Sequence, residues 1–258
     1  MQRFTLLFLI VFIQQVAAQI RITTKSFSVV ETTNELPSCE QIEWSSNDTV
    51  WVVHQRHYNY PFFEGKRQAA ILQMNTIIQS YLEFNNQKRL KQKYKVPNCP
   101  EDRPASTYVQ YSVTCNDTNY VSLFLERDEE PYGYGTGFAH YCYPITLSTV
   151  TGKNVRLQEV IDEPARESIA AIVRLKLKAI QPALFEEGGE GNNPVLFQHE
   201  SIVNSNFLIT KQGLALFISL NFGGKINYEK VELAFDVIEK YITDKRLLAT
   251  IAHMKKIR

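Results

Sequence analysis

Two neighbouring runs of this chain alternate with a period of two: Tyr108-Val109-Gln110-Tyr111-Ser112-Val113 and Tyr120-Val121-Ser122-Leu123-Phe124-Leu125. That period sends successive side chains to opposite sides of an extended backbone, so the pattern predicts paired strands. Asn116-Asp117 between them supplies turn chemistry. A third run over residues 138–146 continues the meander beyond a loop at 127–137, which carries three glycines. In this register Cys115 and Cys142 both fall opposite the start of the middle strand. They are then two strands apart, about 9–10 Å. A disulfide needs Cα atoms within about 7 Å, which disfavours a Cys115–Cys142 bond.

The remaining chain mixes strand and helix signals. Residues 21–33 alternate Ile, Val, Phe and Thr and read as a strand. Residues 50–58 read as a second, ended by Pro61. Ile71, Met74, Ile78, Tyr81 and Leu82 recur at helical spacing and predict a long helix over 66–94. Asp162 is placed to cap a second helix, with Pro164 in its first turn and Ile169, Ile172, Val173, Leu177 and Ile180 as its apolar face. Phe207-Leu208-Ile209 and residues 214–218 form a hairpin about Lys211-Gln212-Gly213, followed by a strand at 231–235 and a mostly helical tail. The predicted class is α+β: two small antiparallel-sheet-plus-helix lobes packed into one unit. The expected borders are a 25–110 N-terminal lobe, a 111–245 C-terminal lobe and a 246–258 helical tail.

Residues 1–18 read as a secretory signal peptide. Arg3 precedes an apolar run at 4–13, and Val16-Ala17-Ala18 offers small residues for cleavage. A run of about ten apolar residues is too short to span a bilayer, which needs about 20. No stable membrane anchor is therefore expected. The expected location is secreted or extracellular, meaning periplasm or cell envelope in a bacterial host. In an oxidising compartment the four cysteines, Cys39, Cys99, Cys115 and Cys142, are expected to be consumed as two disulfides of undetermined pairing. Asn47 and Asn116 begin sequons and are candidate N-glycosylation sites.

A formal net charge of +1 without a strong basic cluster argues against nucleic acid as a partner. The cysteine spacings fit no zinc pattern. His54 and His57, three apart in a strand, point to opposite faces and cannot share a metal. No phosphate-binding loop or hydrolase motif is present. Neither a cofactor, nor a metal, nor a catalytic role is expected. An unrecognised hydrolase would centre on His140 beside Tyr141; the simpler expectation is a histidine packed on the sheet and bonded to a neighbour.

Three segments occur in a fixed order: Tyr58-Asn59-Tyr60-Pro61-Phe62-Phe63-Glu64-Gly65; Gly135-Thr136-Gly137-Phe138-Ala139-His140 with the turn Thr151-Gly152-Lys153 running on to Ile161; and Asn206 to Leu214 around Thr210-Lys211-Gln212-Gly213. Together, over residues 25–242, they resemble the extracellular domain shared by RsiV-type anti-sigma factors and the N-terminal part of PdaC-type peptidoglycan deacetylases. Phe138 is inserted in the Gly-Ala-His loop, and Asn221-Phe222-Gly223-Gly224-Lys225 replaces the family's apolar segment. The resemblance implies the fold and a secreted, non-catalytic binding role, but neither signalling nor deacetylation. In that role Glu126, Asp128, Glu129 and Glu130 form an acidic rim, and Tyr132, Tyr134 and Tyr141 supply aromatic contact area. Such a rim suits a basic extracellular protein such as lysozyme. The alternative is a cell-wall glycan stacking on the tyrosines.

Overall fold

The computed structural model describes residues 20–33, 52–82, 105–130, 139–186, 202, 205–222 and 225–256. Its alternating segments become strands β1 (Arg21–Thr33), β2 (Val52–Glu64), β3 (Ala105–Asn116), β4 (Tyr120–Glu130) and β5 (Ala139–Ser148), which form one sheet in chain order. Strands β6 (Phe207–Ile209), β7 (Gly213–Phe222) and β8 (Lys225–Ala234) form a second, antiparallel sheet. Helix α1 (Gln68–Tyr81) follows β2, and α2 (Ala165–Ile180) lies between the sheets in sequence. The chain closes with the short α3 (Phe235–Ile238) and α4 (Lys245–Lys256). The class is α+β, as expected.

Period two sorts the first sheet into two faces. Val109, Val121, Leu123, Leu125, Ile145 and Leu147 bury one face against Ile71, Met74 and Ile78 of α1 and Leu82 just past its end. The other face turns Cys115 and Tyr120 into a second core, built with Phe207, Leu214, Leu216 and Val231 of the second sheet and with α2 and α4. Phe124 stacks on Phe217 between the sheets, with centroids 4.5 Å apart.

The sheets are joined by a buried relay of hydroxyls. The Ile209 N–H donates to Ser122 Oγ at 2.9 Å, Ser122 and Thr146 hydroxyls lie 2.8 Å apart, and Thr146 Oγ1 donates to the Phe207 carbonyl at 2.5 Å. Thr146 has one hydroxyl proton and spends it on Phe207, so Ser122 donates to Thr146. The outward Ile209 N–H and Phe207 carbonyl of β6 are thereby satisfied without a neighbouring strand. Asn75 of α1 does the same for β2: its Oδ1 accepts the Phe63 N–H at 2.9 Å and its Nδ2 donates to the Phe63 carbonyl at 3.1 Å.

Two turns are explained by close approach. Gly152 has φ +73°, and a Cβ there would sit 2.3 Å from the Ala70 carbonyl oxygen of α1. A Cβ on Gly213 would fall 1.9 Å from the Leu233 carbonyl oxygen. Asp162 Oδ1 accepts the Ala165 N–H at 3.1 Å, as its capping role predicts. Asp244 caps α4, accepting the Arg246 and Leu247 N–H groups at 2.8 Å each. Burial alone pushes its carboxyl up. The Leu247 N–H, the buried Tyr120 hydroxyl and Arg246 outweigh that and hold it below the usual carboxylate range.

Several expectations change. β2 runs through Pro61 to Glu64. Its parallel ladder with β3 covers only His54 to Tyr58, so Pro61 has a strand neighbour on one side, where a missing N–H is tolerated. That β2–β3 pair also breaks the antiparallel rule expected of the first sheet. The border placed near residue 110 falls inside β3. Helix α1 is described only to Tyr81, and residues 83–94 lie outside the described set. Ile180 is 48% exposed rather than part of the buried face of α2. Among the described residues no helix is long and apolar enough to cross a membrane; residues 1–18 and Asn47 lie outside them.

Replacing Ser122 by Ala, or Thr146 by Val, leaves buried partners unsatisfied and should cost about 1–3 kcal/mol in denaturant unfolding. The double variant should cost less than the sum, because the two residues share one relay. The Asp244 carboxyl is lowered in the fold. Its stabilising effect is therefore complete above the ordinary carboxylate range and is lost as the pH falls through the folded value. Between about pH 5 and about pH 3, wild type should lose more stability than Asp244→Asn, measured by thermal unfolding across that range.

Candidate functional site: the polar face of β3, β4 and β5

The face of the first sheet that meets the second sheet at Ser122 and Phe124 continues beyond it as a polar surface. Cross-strand partners share a face. One row runs His57, Tyr108, Asp128 and His140 across β2, β3, β4 and β5. The next places Gln110, Glu126 and Cys142 side by side. Tyr108 is 48% exposed, and its ring stacks on that of His57 with centroids 5.1 Å apart and planes 14° apart. Gln110 Nε2 donates to Glu126 Oε2 at 3.3 Å.

His140 is the hub of this surface. Its Nδ1 lies 2.5 Å from Asp128 Oδ1, and its Nε2 lies 3.1 Å from Cys142 Sγ and 4.0 Å from Glu126 Oε1. The Asp128 contact places the proton on Nδ1, since a carboxylate accepts. Nε2 then accepts the Cys142 thiol. The order thiol, imidazole, carboxylate is that of a nucleophile with a base and its orienting acid. The electrostatics run the other way. Burial first, then the charges of Glu126 and Asp128, push the Cys142 thiol up to about 11. An activated cysteine is shifted downward by positive surroundings. Cys142 is therefore a protonated donor that steadies the imidazole. Tyr228 of β8 hydrogen-bonds the Cys142 backbone, and burial leads the causes that raise its hydroxyl above the ordinary range. Among the described residues no group of three or more His, Cys, Asp or Glu side chains is placed to hold a metal ion.

The expected ligand surface is divided by the pleat. Glu126 and Asp128 lie on the polar face, with side chains 28% and 25% exposed. Tyr141 pairs with Arg127 and points to the opposite face, because it sits one residue out of phase with His140 and Cys142. There it joins another row: Tyr141 and Tyr143 stack at 6.4 Å, and Tyr143 meets Tyr81 of α1 at 5.0 Å. Glu129 and Glu130 belong to β4, and Tyr132 and Tyr134 lie outside the described residues. His140 is held on the sheet by Asp128 and Cys142. His57, Tyr108 and Gln110 were not expected at this surface. The alternation places Tyr108 and Gln110 on one face, but the pairing of β3 with β2 and β4 is what sets them beside His57, Asp128 and Glu126.

The cysteines depart from expectation. Cys115 and Cys142 are buried free thiols, and Cys39 and Cys99 lie outside the described residues. Cys115 is opposite Ser122 while Cys142 is opposite Glu126, so the two are separated along β4 as well as across it. The expected register set both at the start of β4; the ladders place Cys142 four residues further along. Burial, then the charge of Asp117, pushes the Cys115 thiol up to about 12. Asn116, the second sequon residue, donates its Nδ2 to the Ile20 carbonyl at 3.1 Å, so its amide already serves the fold.

No protein-family profile matches the chain. No curated protein matches it. Among solved structures it is similar to a DUF3298 family member from Bacteroides fragilis, with TM-score 0.49 and 11% identity over 91% of this chain and 98% of that one. It is also similar to a DUF3298 family protein from Pseudomonas aeruginosa, with TM-score 0.46 and 11% identity over 86% and 95% of the two chains.

Thiol counting on the denatured, unreduced protein should find Cys115 and Cys142 free, and in the native state both should alkylate slowly at neutral pH. Replacing Glu126 by Gln and Asp128 by Asn removes the charges that raise the Cys142 thiol. The double variant should therefore alkylate faster at Cys142 in a pH-resolved iodoacetamide assay.

Proposed function

We propose that this chain is a secreted, non-catalytic binding domain whose polar face on β4 and β5 receives a basic extracellular protein, such as a lysozyme. One observation carries the reading: Glu126 and Asp128 stand in adjacent rows of an open sheet face, and together with burial they keep the neighbouring Cys142 thiol protonated. A surface of that sign attracts cations and disfavours the thiolate of Cys142 beside His140. The resemblance to the RsiV-type extracellular domain supports the same class of partner. A cell-wall glycan is the second reading. The Tyr81, Tyr143 and Tyr141 row on the opposite face favours it, since sugar rings stack on aromatic side chains.

The two readings use opposite faces and separate experimentally. Capture of lysozyme by the secreted protein should weaken at least about ten-fold in Glu126→Gln/Asp128→Asn and with added salt. Equal capture by wild type and that variant overturns the first reading. Sedimentation with insoluble peptidoglycan that is lost in Tyr141→Ala and kept in the acid variant establishes the second instead.

A further inference from the structure

We infer that His140 is a pH switch on this face: a proton taken up at Nε2 exchanges its Cys142 contact for Glu126 and releases a basic partner. The inference rests on the proposal of a basic protein partner and adds what makes that partner leave.

The switch follows from what surrounds one imidazole. Asp128 Oδ1 lies 2.5 Å from Nδ1, and the proton between them leaves Nε2 as the ring nitrogen that can gain another. Nε2 has neighbours of opposite hydrogen-bonding type: Cys142 Sγ at 3.1 Å is a donor, and Glu126 Oε1 at 4.0 Å is an acceptor. Burial, then Glu126 and Asp128, push the thiol up to about 11, so Cys142 keeps its proton while the imidazole changes charge. Gln110 Nε2 donates to Glu126 Oε2 at 3.3 Å, which leaves Oε1 for the ring. Beyond the acids in the same two rows stand Gln110 and Tyr108 of β3, and beyond Tyr108 stands His57 of β2. From β8, Tyr228 reaches the Cys142 backbone, while Lys230 and Glu232 pair with each other at 3.8 Å. Among the described residues His140 is the only basic side chain within 4.0 Å of Glu126 or Asp128.

A protonated Nε2 donates and no longer accepts the thiol. Closing the gap to Glu126 Oε1 to a charge-assisted bond of about 2.8 Å takes about 1 Å of side-chain movement. The imidazolium then lies between two carboxylates. The trio carries one negative charge in place of two, and both carboxylates are engaged by the ring. A basic partner loses attraction and acceptors together. The His140 side chain is 40% exposed, so the proton comes directly from solvent.

The test uses the full chain, titrated from about pH 8 to about pH 5, the range in which imidazoles change charge. NMR of the His140 ring nitrogens and the Glu126 carboxyl carbon should show Nδ1 protonated throughout and the Glu126 signal moving with Nε2. Lysozyme capture should weaken about three- to ten-fold toward acid, the effect of one unit charge near a protein surface. His140→Asn keeps an N–H for Asp128 but has no titrating nitrogen, so its ratio of capture at the two ends should fall to near one. Circular dichroism checks that this variant is folded, and the NMR readout on wild type needs no variant. His57→Asn, three strands away, should keep the wild-type ratio. A Glu126 signal that ignores Nε2, or a wild-type ratio retained in His140→Asn, overturns the switch. Capture absent at every pH while Glu126 still follows Nε2 overturns the lysozyme reading and upholds the proton-driven exchange.

Discussion

The arrangement of the molecule depends on the hydroxyl relay from Ile209 through Ser122 and Thr146 to Phe207. An edge strand carries backbone donors and acceptors that cost free energy when buried without partners. β6 lowers that cost by placing its outward Ile209 N–H and Phe207 carbonyl on two hydroxyls of the first sheet, not on another strand. Each hydroxyl gives one proton and receives one, so the relay closes in a single direction. Thr146 and Ser122 are buried, so no water is needed to complete it. Docking β6 at this point also decides what stays open. The second sheet covers the Ser122 and Phe124 rows, and Tyr228 of β8 reaches the Cys142 end of the next row, where the thiol is buried. The Tyr108 row beyond it stays exposed at Tyr108.

That surface combines the parts of a nucleophilic site with a negative field that opposes thiolate formation. Cys142, His140 and Asp128 lie in catalytic order, at distances that permit proton transfer. Burial and two nearby carboxylates nevertheless favour the protonated thiol. The order of residues along a hydrogen-bonded row does not determine chemistry; the sign of the surrounding field does. Here the field is negative, which suits attraction of a cation and keeps the sulfur a neutral donor. The same contact that steadies His140 also braces Asp128.

The joints between elements share one device, in which a side chain or a glycine replaces a missing backbone neighbour. Asn75 stands in for a strand beside Phe63. Gly152 lets its turn approach the Ala70 carbonyl, and Gly213 lets the hairpin approach Leu233. Asp244 ties the last helix to Tyr120 at the start of β4. The two glycine contacts fall at the Thr151-Gly152-Lys153 and Thr210-Lys211-Gln212-Gly213 segments on which the family resemblance partly rests. Their role in this chain is geometric.

The meander, the first strand, the 207–218 hairpin and the capped helix at Asp162 were legible in the sequence, because each rests on local periodicity or local capping. Single residues also revealed their roles where the physics is local, as with Asp162 and the turn at Asn116-Asp117. Partnership was not legible. The parallel β2–β3 pair, the passage of β2 through Pro61 and the row His57, Tyr108, Asp128 and His140 depend on which strand lies beside which, and period two carries no record of that. The expected surface failed at Tyr141 for the same reason: the acids and this tyrosine are close in the chain but on opposite sides of the pleat. The state of the cysteines was likewise a tertiary matter. An even count permits disulfides, but only the ladders set Cys115 and Cys142 in different rows, each buried without a sulfur partner. The amino-acid sequence by itself determined which segments extend, which coil and which face is apolar; the tertiary structure decided what those faces meet, because register and burial arise only when distant segments pack.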